Sequence, residues 1–132
     1  MRVERDSQFP VMTEHIKQIL IVTGLLTMTA LASVVMPSTI LKRVFGVENP
    51  DAAAIVLARH WGLLVALVGS LLVFAGYRPD IRIPAMVVGA TEKLAIGAFV
   101  LATPLRRRGV LMMIAAGDAL MAIIYLIVLS TS

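Results

Sequence analysis

Four apolar runs, separated by very little sequence, decide what this chain can fold into. They cover residues 16–36 ("IKQILIVTGLLTMTALASVVM"), 54–77 ("AIVLARHWGLLVALVGSLLVFAGY"), 83–103 ("IPAMVVGATEKLAIGAFVLAT") and 109–129 ("GVLMMIAAGDALMAIIYLIVL"). A helix that crosses a bilayer needs about 20 mostly apolar residues, and each run supplies them. Pro37, Pro79 and Pro104 follow the first three runs. Proline cannot continue a helix, so each marks a stop. "RPDIR" and "PLRRR" are too short to let the following helix run parallel to the one before it. The expected fold is therefore all-α, a four-helix transmembrane bundle in up-down-up-down order, forming one domain over residues 1–132. Composition agrees: 59% of the residues are hydrophobic, above the 45–50% usual for a soluble domain.

The link between the first two spans, residues 37–53, is longer. Ile40, Leu41, Val44 and Phe45 fall on one helical face, with Lys42 and Arg43 opposite. That pattern predicts a short interfacial helix, followed by a turn at "ENPD". The first span is read as a retained helix and not as a cleaved signal. Glu4, Asp6 and Glu14 interrupt any positive leader, and the apolar run is too long for one. Loop charges do not orient the bundle. Arg2, Arg5, Lys17, Arg78 and Arg82 stand on one side, against Lys42, Arg43, Arg106, Arg107 and Arg108 on the other.

Net charge is +4, but the basic residues are scattered between apolar runs and form no nucleic-acid footprint. The absence of cysteine excludes disulfides and thiolate chemistry. No phosphate-binding loop, serine elbow or paired-histidine zinc motif is present. No cofactor or metal is expected and no catalytic residue can be named.

The second span has a seam of small residues, Gly62, Ala66, Gly69, Val73 and Gly76, opened by Arg59. Small residues let transmembrane helices approach closely. In the fourth span Leu111, Ala115, Asp118, Ala122, Tyr125 and Leu129 share one face; Met113, Leu120, Ile124 and Ile127 share the lipid-facing side. The third span carries Gly89, Lys93, Ile96 and Val100, with Glu92 and Gly97 beside them. Its two glycines are expected to clear room around Lys93. Thr23, Thr27 and Ala30 offer a weaker polar side on the first span.

Ionisable residues inside spans are candidates for function, because leaving them unpaired is costly. Arg59 and Lys93 balance Glu92 and Asp118, which suggests a neutral four-charge network with His60 and Tyr125 at its margins. Glu92 and Lys93 diverge by about 100° on a helix, so each is expected to find its main partner elsewhere. The favoured pairing is Lys93 with Asp118, and Glu92 with Arg59 or His60; the swapped pairing is the alternative. Such a network fixes helix register, binds a ligand, or moves a proton or ion. His60, beside Trp61, reads as an interfacial residue more readily than as a metal ligand.

"ARHWGLLVALVGSLLVFAGYRPDIR", "GATEKLAIGAFVLAT" and "GDALMAIIYLIVL" resemble small four-helix bacterial membrane proteins, broadly DoxX-like. Arg59, Gly62, Lys93 and Asp118 carry the likeness. It implies a multi-pass protein of the bacterial inner membrane with no assigned molecular function. The expected role is a scaffold or accessory subunit that holds a small apolar molecule. The alternative is an enzyme or redox partner acting on a lipid-soluble substrate such as a quinone. Expected partners are membrane lipid, the small apolar ligand, and further copies of the chain or a larger membrane complex.

Overall fold

A computed structural model describes the backbone of residues 2–131 and the side chains of residues 15–131. Helix α1 (Arg2–Met28) runs through a tighter turn at Thr29–Leu31 into α2 (Ala32–Val35). Helix α3 (Pro37–Arg43) is short; α4 (Ala52–Tyr77), α5 (Arg82–Leu101) and α6 (Gly109–Ser130) are long. Four stretches are long and apolar enough to cross a membrane: His15–Val35, Ala52–Tyr77, Pro79–Leu101 and Gly109–Ser130. They form the expected all-helical bundle, within a few residues of the boundaries read from the sequence.

The proline signals act where they stand. Pro37 occupies the first turn of α3, and Pro79 and Pro104 each open a single tight turn between spans. Asp51 caps α4, its Oδ1 accepting from the Ala54 N–H at 2.8 Å. That satisfies one of the donors a helix start leaves open. The interfacial helix ends at Arg43, earlier than its apolar pattern suggests, so Val44 and Phe45 lie in the turn that follows. Leu41 is buried while Lys42 and Arg43 are exposed. Gly46 takes a positive φ of 75°, a conformation that favours glycine, and the Val47 N–H then donates to the Leu41 carbonyl at 2.9 Å.

Helices α1 and α4 meet by their backbones. A Cβ built on Gly24 would lie 2.7 Å from the Gly69 carbonyl oxygen; one built on Gly69 would lie 2.6 Å from that of Gly24. Farther along, a Cβ on Gly62 would meet the Ala30 carbonyl at 2.7 Å. The tight turn Thr29–Leu31 therefore presses against Gly62. Ser33, buried beside it, donates to the Ala58 carbonyl at 2.8 Å. The small-residue seam of α4 is thus its packing face, with one correction: Ala58 occupies the buried position at the start of the seam, and Arg59 is exposed.

Two apolar clusters sit at opposite ends of the bundle. One gathers Leu20, Leu72, Ala75, Ala85, Met86, Ala90, Ala122 and Tyr125. The other gathers Val100, Leu111 and Ala115 under Val44, Phe45 and Leu105. Outward residues such as Met113 and Val35, each 76% exposed, have no apolar cover within the chain and suit lipid. Leu120 and Ile127 share that outward side, whereas Ile124 is half-buried and Ile123 is exposed in its place.

Arginines fasten both ends. Arg82 is buried and donates to the carbonyls of Ala75 at 3.1 Å and Gly76 at 2.8 Å, closing the C-terminal turn of α4. At the other end Arg108 donates to the carbonyls of Arg43 at 3.1 Å and Lys42 at 3.4 Å. This ties the triple-arginine turn to the end of α3. A cation at a helix C-terminus also meets the negative end of the helix dipole.

Candidate functional site

Between the two apolar clusters lies a polar layer. The middles of the spans converge there, because the small-residue faces of α5 and α6 bring Lys93 and Asp118 against α1. Lys93 is the most enclosed charge among the described residues, with 1% of its side chain exposed. Its Nζ donates to Thr27 Oγ1 at 2.8 Å and to Asp118 Oδ1 at 3.2 Å. The Thr27 hydroxyl donates in turn to the Thr23 carbonyl at 2.7 Å. Tyr125 is buried and its hydroxyl donates to Thr23 Oγ1. One ammonium and two threonines therefore join α1, α5 and α6.

Glu92 is placed differently. Its Oε2 lies 3.8 Å from Lys93 Nζ, close enough for attraction and too far for a hydrogen bond. That atom is buried and has no hydrogen-bond partner. The expected pairing of Glu92 with Arg59 or His60 does not form. Both of those residues are exposed, and neither makes a hydrogen bond or ion pair among the described residues. The long Arg59 side chain, two turns into α4, gains more by keeping its charge outside than by entering the layer. The Lys93–Asp118 pair expected from the sequence is present.

The charge balance changes as a result. Without Arg59, the layer holds one cation, Lys93, and two carboxyl groups, Glu92 and Asp118. With both carboxyls ionised it carries one excess negative charge. An unpaired charge at the bilayer centre costs about 2.5–3.5 kcal/mol on insertion scales. A proton or a bound cation would remove that cost.

Glu92 and Asp118 border a cleft in the bundle. A cavity of about 240 Å³ is lined by Thr27, Ala30, Trp61, Val65, Glu92 and Asp118, among others. Ile40 and Val44 of the interfacial segment also line it. Leu26 and Ile114 also line it and are themselves exposed, so it opens on the flank of the bundle. A second space, about 250 Å³, shares Trp61, Val65 and Glu92 with the first. A third, about 320 Å³ and apolar, lies between Leu41, Phe45, Leu57 and Trp61. Trp61 borders all three, held edge-on by Phe45 with ring centres 5.7 Å apart.

The glycines of α5 do not act as the sequence suggests. Gly89 packs on Leu72 and Tyr125, and a Cβ on Gly97 would meet nothing within 4 Å. The space beside the charges is bordered instead by residues of α1, α4 and α6. Sequence reasoning also missed Thr23, Thr27 and Trp61 as members of the site, and Arg82 and Arg108 as caps. Among the described residues, no three His, Asp or Glu side chains gather as a metal ion would require.

Comparison with known proteins returns no matching family model, no matching curated protein and no matching solved structure. The DoxX-like resemblance therefore rests on Arg59, Gly62, Lys93 and Asp118 alone.

Proposed function

We propose that this is a membrane-embedded binding protein, acting as a scaffold or accessory subunit, whose bundle holds a small lipid-soluble molecule beside Glu92 and Asp118. The bacterial inner membrane is its proposed seat, on the resemblance described above. One observation carries the reading: a cavity of about 240 Å³ reaches both carboxyl groups of the polar layer and opens on the lipid-facing flank. A pure register device needs no such space, since it works best when fully packed and fully hydrogen-bonded. Size supports occupancy, because an apolar cavity of about 150 Å³ already admits a benzene ring.

The test is native mass spectrometry of the purified protein, joined to extraction of co-purifying molecules. Val65 lines two of the spaces, so Val65→Phe should fill them while leaving the polar layer intact. The expected result is a bound molecule in wild type that is lost from a folded Val65→Phe protein. Equal content in both would overturn the reading and leave the charges as structural glue. A quinone in the extract would favour the redox alternative.

A further inference from the structure

The chemistry of the walls selects the class of molecule that the cavity takes. The cavity presents Glu92 and Asp118 to its contents but not Lys93, which is enclosed behind them. Among the described residues, no basic side chain lines this cavity or its neighbour along α4 and α5. The segments from α1 through α3 contribute only apolar residues, threonines and Ser33 to the wall. From α4 the lining residues are Trp61 and Val65. The walls are therefore acidic, and the nearest cation is already engaged by Asp118 and Thr27.

Two further observations point the same way. Glu92 Oε2 is turned inward, 3.8 Å from Lys93 Nζ, and accepts no hydrogen bond, so the chain's own donors do not satisfy this carboxyl group. Its nearest charged neighbours are Lys93 on its own helix and Asp118 on α6. An ionised carboxylate can only accept, so it suits a cation or a donor. Trp61 supplies an aromatic face on the same walls, and indole is the best of the side-chain partners for an ammonium group.

Building on the ligand-binding reading, we infer that the cavity takes a lipophilic cation: an amphiphile whose ammonium group lies between Glu92 and Trp61 and whose apolar part follows the opening by Leu26 and Ile114. The positive charge replaces the one that Arg59 does not deliver. The polar layer then becomes neutral when the cavity is filled. An anionic amphiphile meets two carboxylates and is rejected.

The chain has a single tryptophan, so its fluorescence reports from Trp61 alone. The experiment titrates the protein, in an uncharged detergent, with three molecules of one shape: benzyltrimethylammonium, its neutral carbon analogue neopentylbenzene, and benzylsulfonate. The cation should saturate the signal at a concentration at least ~10-fold below the neutral analogue, and the anion should not saturate it. Glu92→Gln should shrink the preference for the cation to within about 2-fold while leaving the neutral affinity unchanged. Equal affinity for cation and neutral analogue in wild type would overturn this inference and leave the ligand-binding reading standing. No saturation by any probe, with nothing co-purifying, would overturn both. Comparing the probes on wild type decides the matter even if Glu92→Gln fails to fold.

Discussion

Helix α1 meets α4 through backbone and meets α5 and α6 through side chains. On the α4 side, Gly24 and Gly69 bring carbonyl oxygens to within 2.7 Å of where a Cβ would stand. On the other side Thr23 and Thr27 reach Tyr125 and Lys93 by hydrogen bonds. Lipid is as apolar as leucine, so helices in a bilayer gain little from burying apolar surface. Close packing and polar bonds are what hold them together. The two contacts use one device each. Glycine packing leaves no volume to spare, whereas side chains hold helices apart at arm's length. The cavity is found on the side-chain side.

The comparison breaks first at Lys93. Replacing it with Met removes the cation and leaves Glu92 and Asp118 facing each other. A buried pair broken in this way typically costs about 3–5 kcal/mol. Unfolding in mixed micelles should show that loss. Adding Asp118→Leu should recover most of it, because an apolar replacement of a whole pair is often neutral. Failure to recover would mean that Thr27 and Glu92, not Asp118, carry the lysine.

Gly69→Val tests the other side. Its Cβ would have to displace the Gly24 carbonyl and the Met28 backbone N–H, neither of which is a flexible side-chain end. Overpacking costs about 1–3 kcal/mol, with α1 and α4 forced apart. The sharpest readout is distance: spin labels on exposed Leu25 and Leu67 should move apart, while the Lys93 network keeps its hydrogen bonds. Arg82→Ala comes next. It leaves the buried Ala75 and Gly76 carbonyls without the donors that Arg82 supplies, so about 1–3 kcal/mol is expected by the same unfolding assay.

Much of this was legible in the sequence, for identifiable reasons. The spans announce themselves because only uninterrupted apolar length satisfies a bilayer, and the prolines punctuate them. Lys93 and Asp118 could be paired because both fall on small-residue faces near mid-span. The buried seam of α4 begins at Ala58, one position before Arg59. Helical periodicity does not separate neighbouring residues well at the end of a seam, and Ala58 took the inner place. The spacing cannot show that a long basic side chain near a helix end prefers the interface. Thr23 and Thr27 do not stand out in the sequence because a threonine in a helix can always bond its own preceding turn, and both do. Their second role depends on which helix comes alongside. Arg82 looked like loop charge, although its partners are backbone carbonyls that no sequence pattern displays.

The smallest predicted effect sharpens the comparison most. Gly24 and Gly69 are glycines because another backbone occupies the space of a side chain; Gly97 is a glycine with open space around it. Glycine in a helix interior is up to about 1 kcal/mol less favourable than alanine, because it gives up more backbone freedom on folding. Where no neighbour intrudes, alanine should recover part of that. Gly97→Ala should therefore stabilise the bundle by less than about 1 kcal/mol, with the helix packing unchanged. Gly69→Ala, the same chemical change, should destabilise it, because its methyl group would lie 2.6 Å from a carbonyl oxygen. Opposite signs for one substitution at two positions would establish that packing, and not glycine content as such, joins α1 to α4. Destabilisation at Gly97 would place a neighbour there, such as a second copy of the chain or a bound lipid.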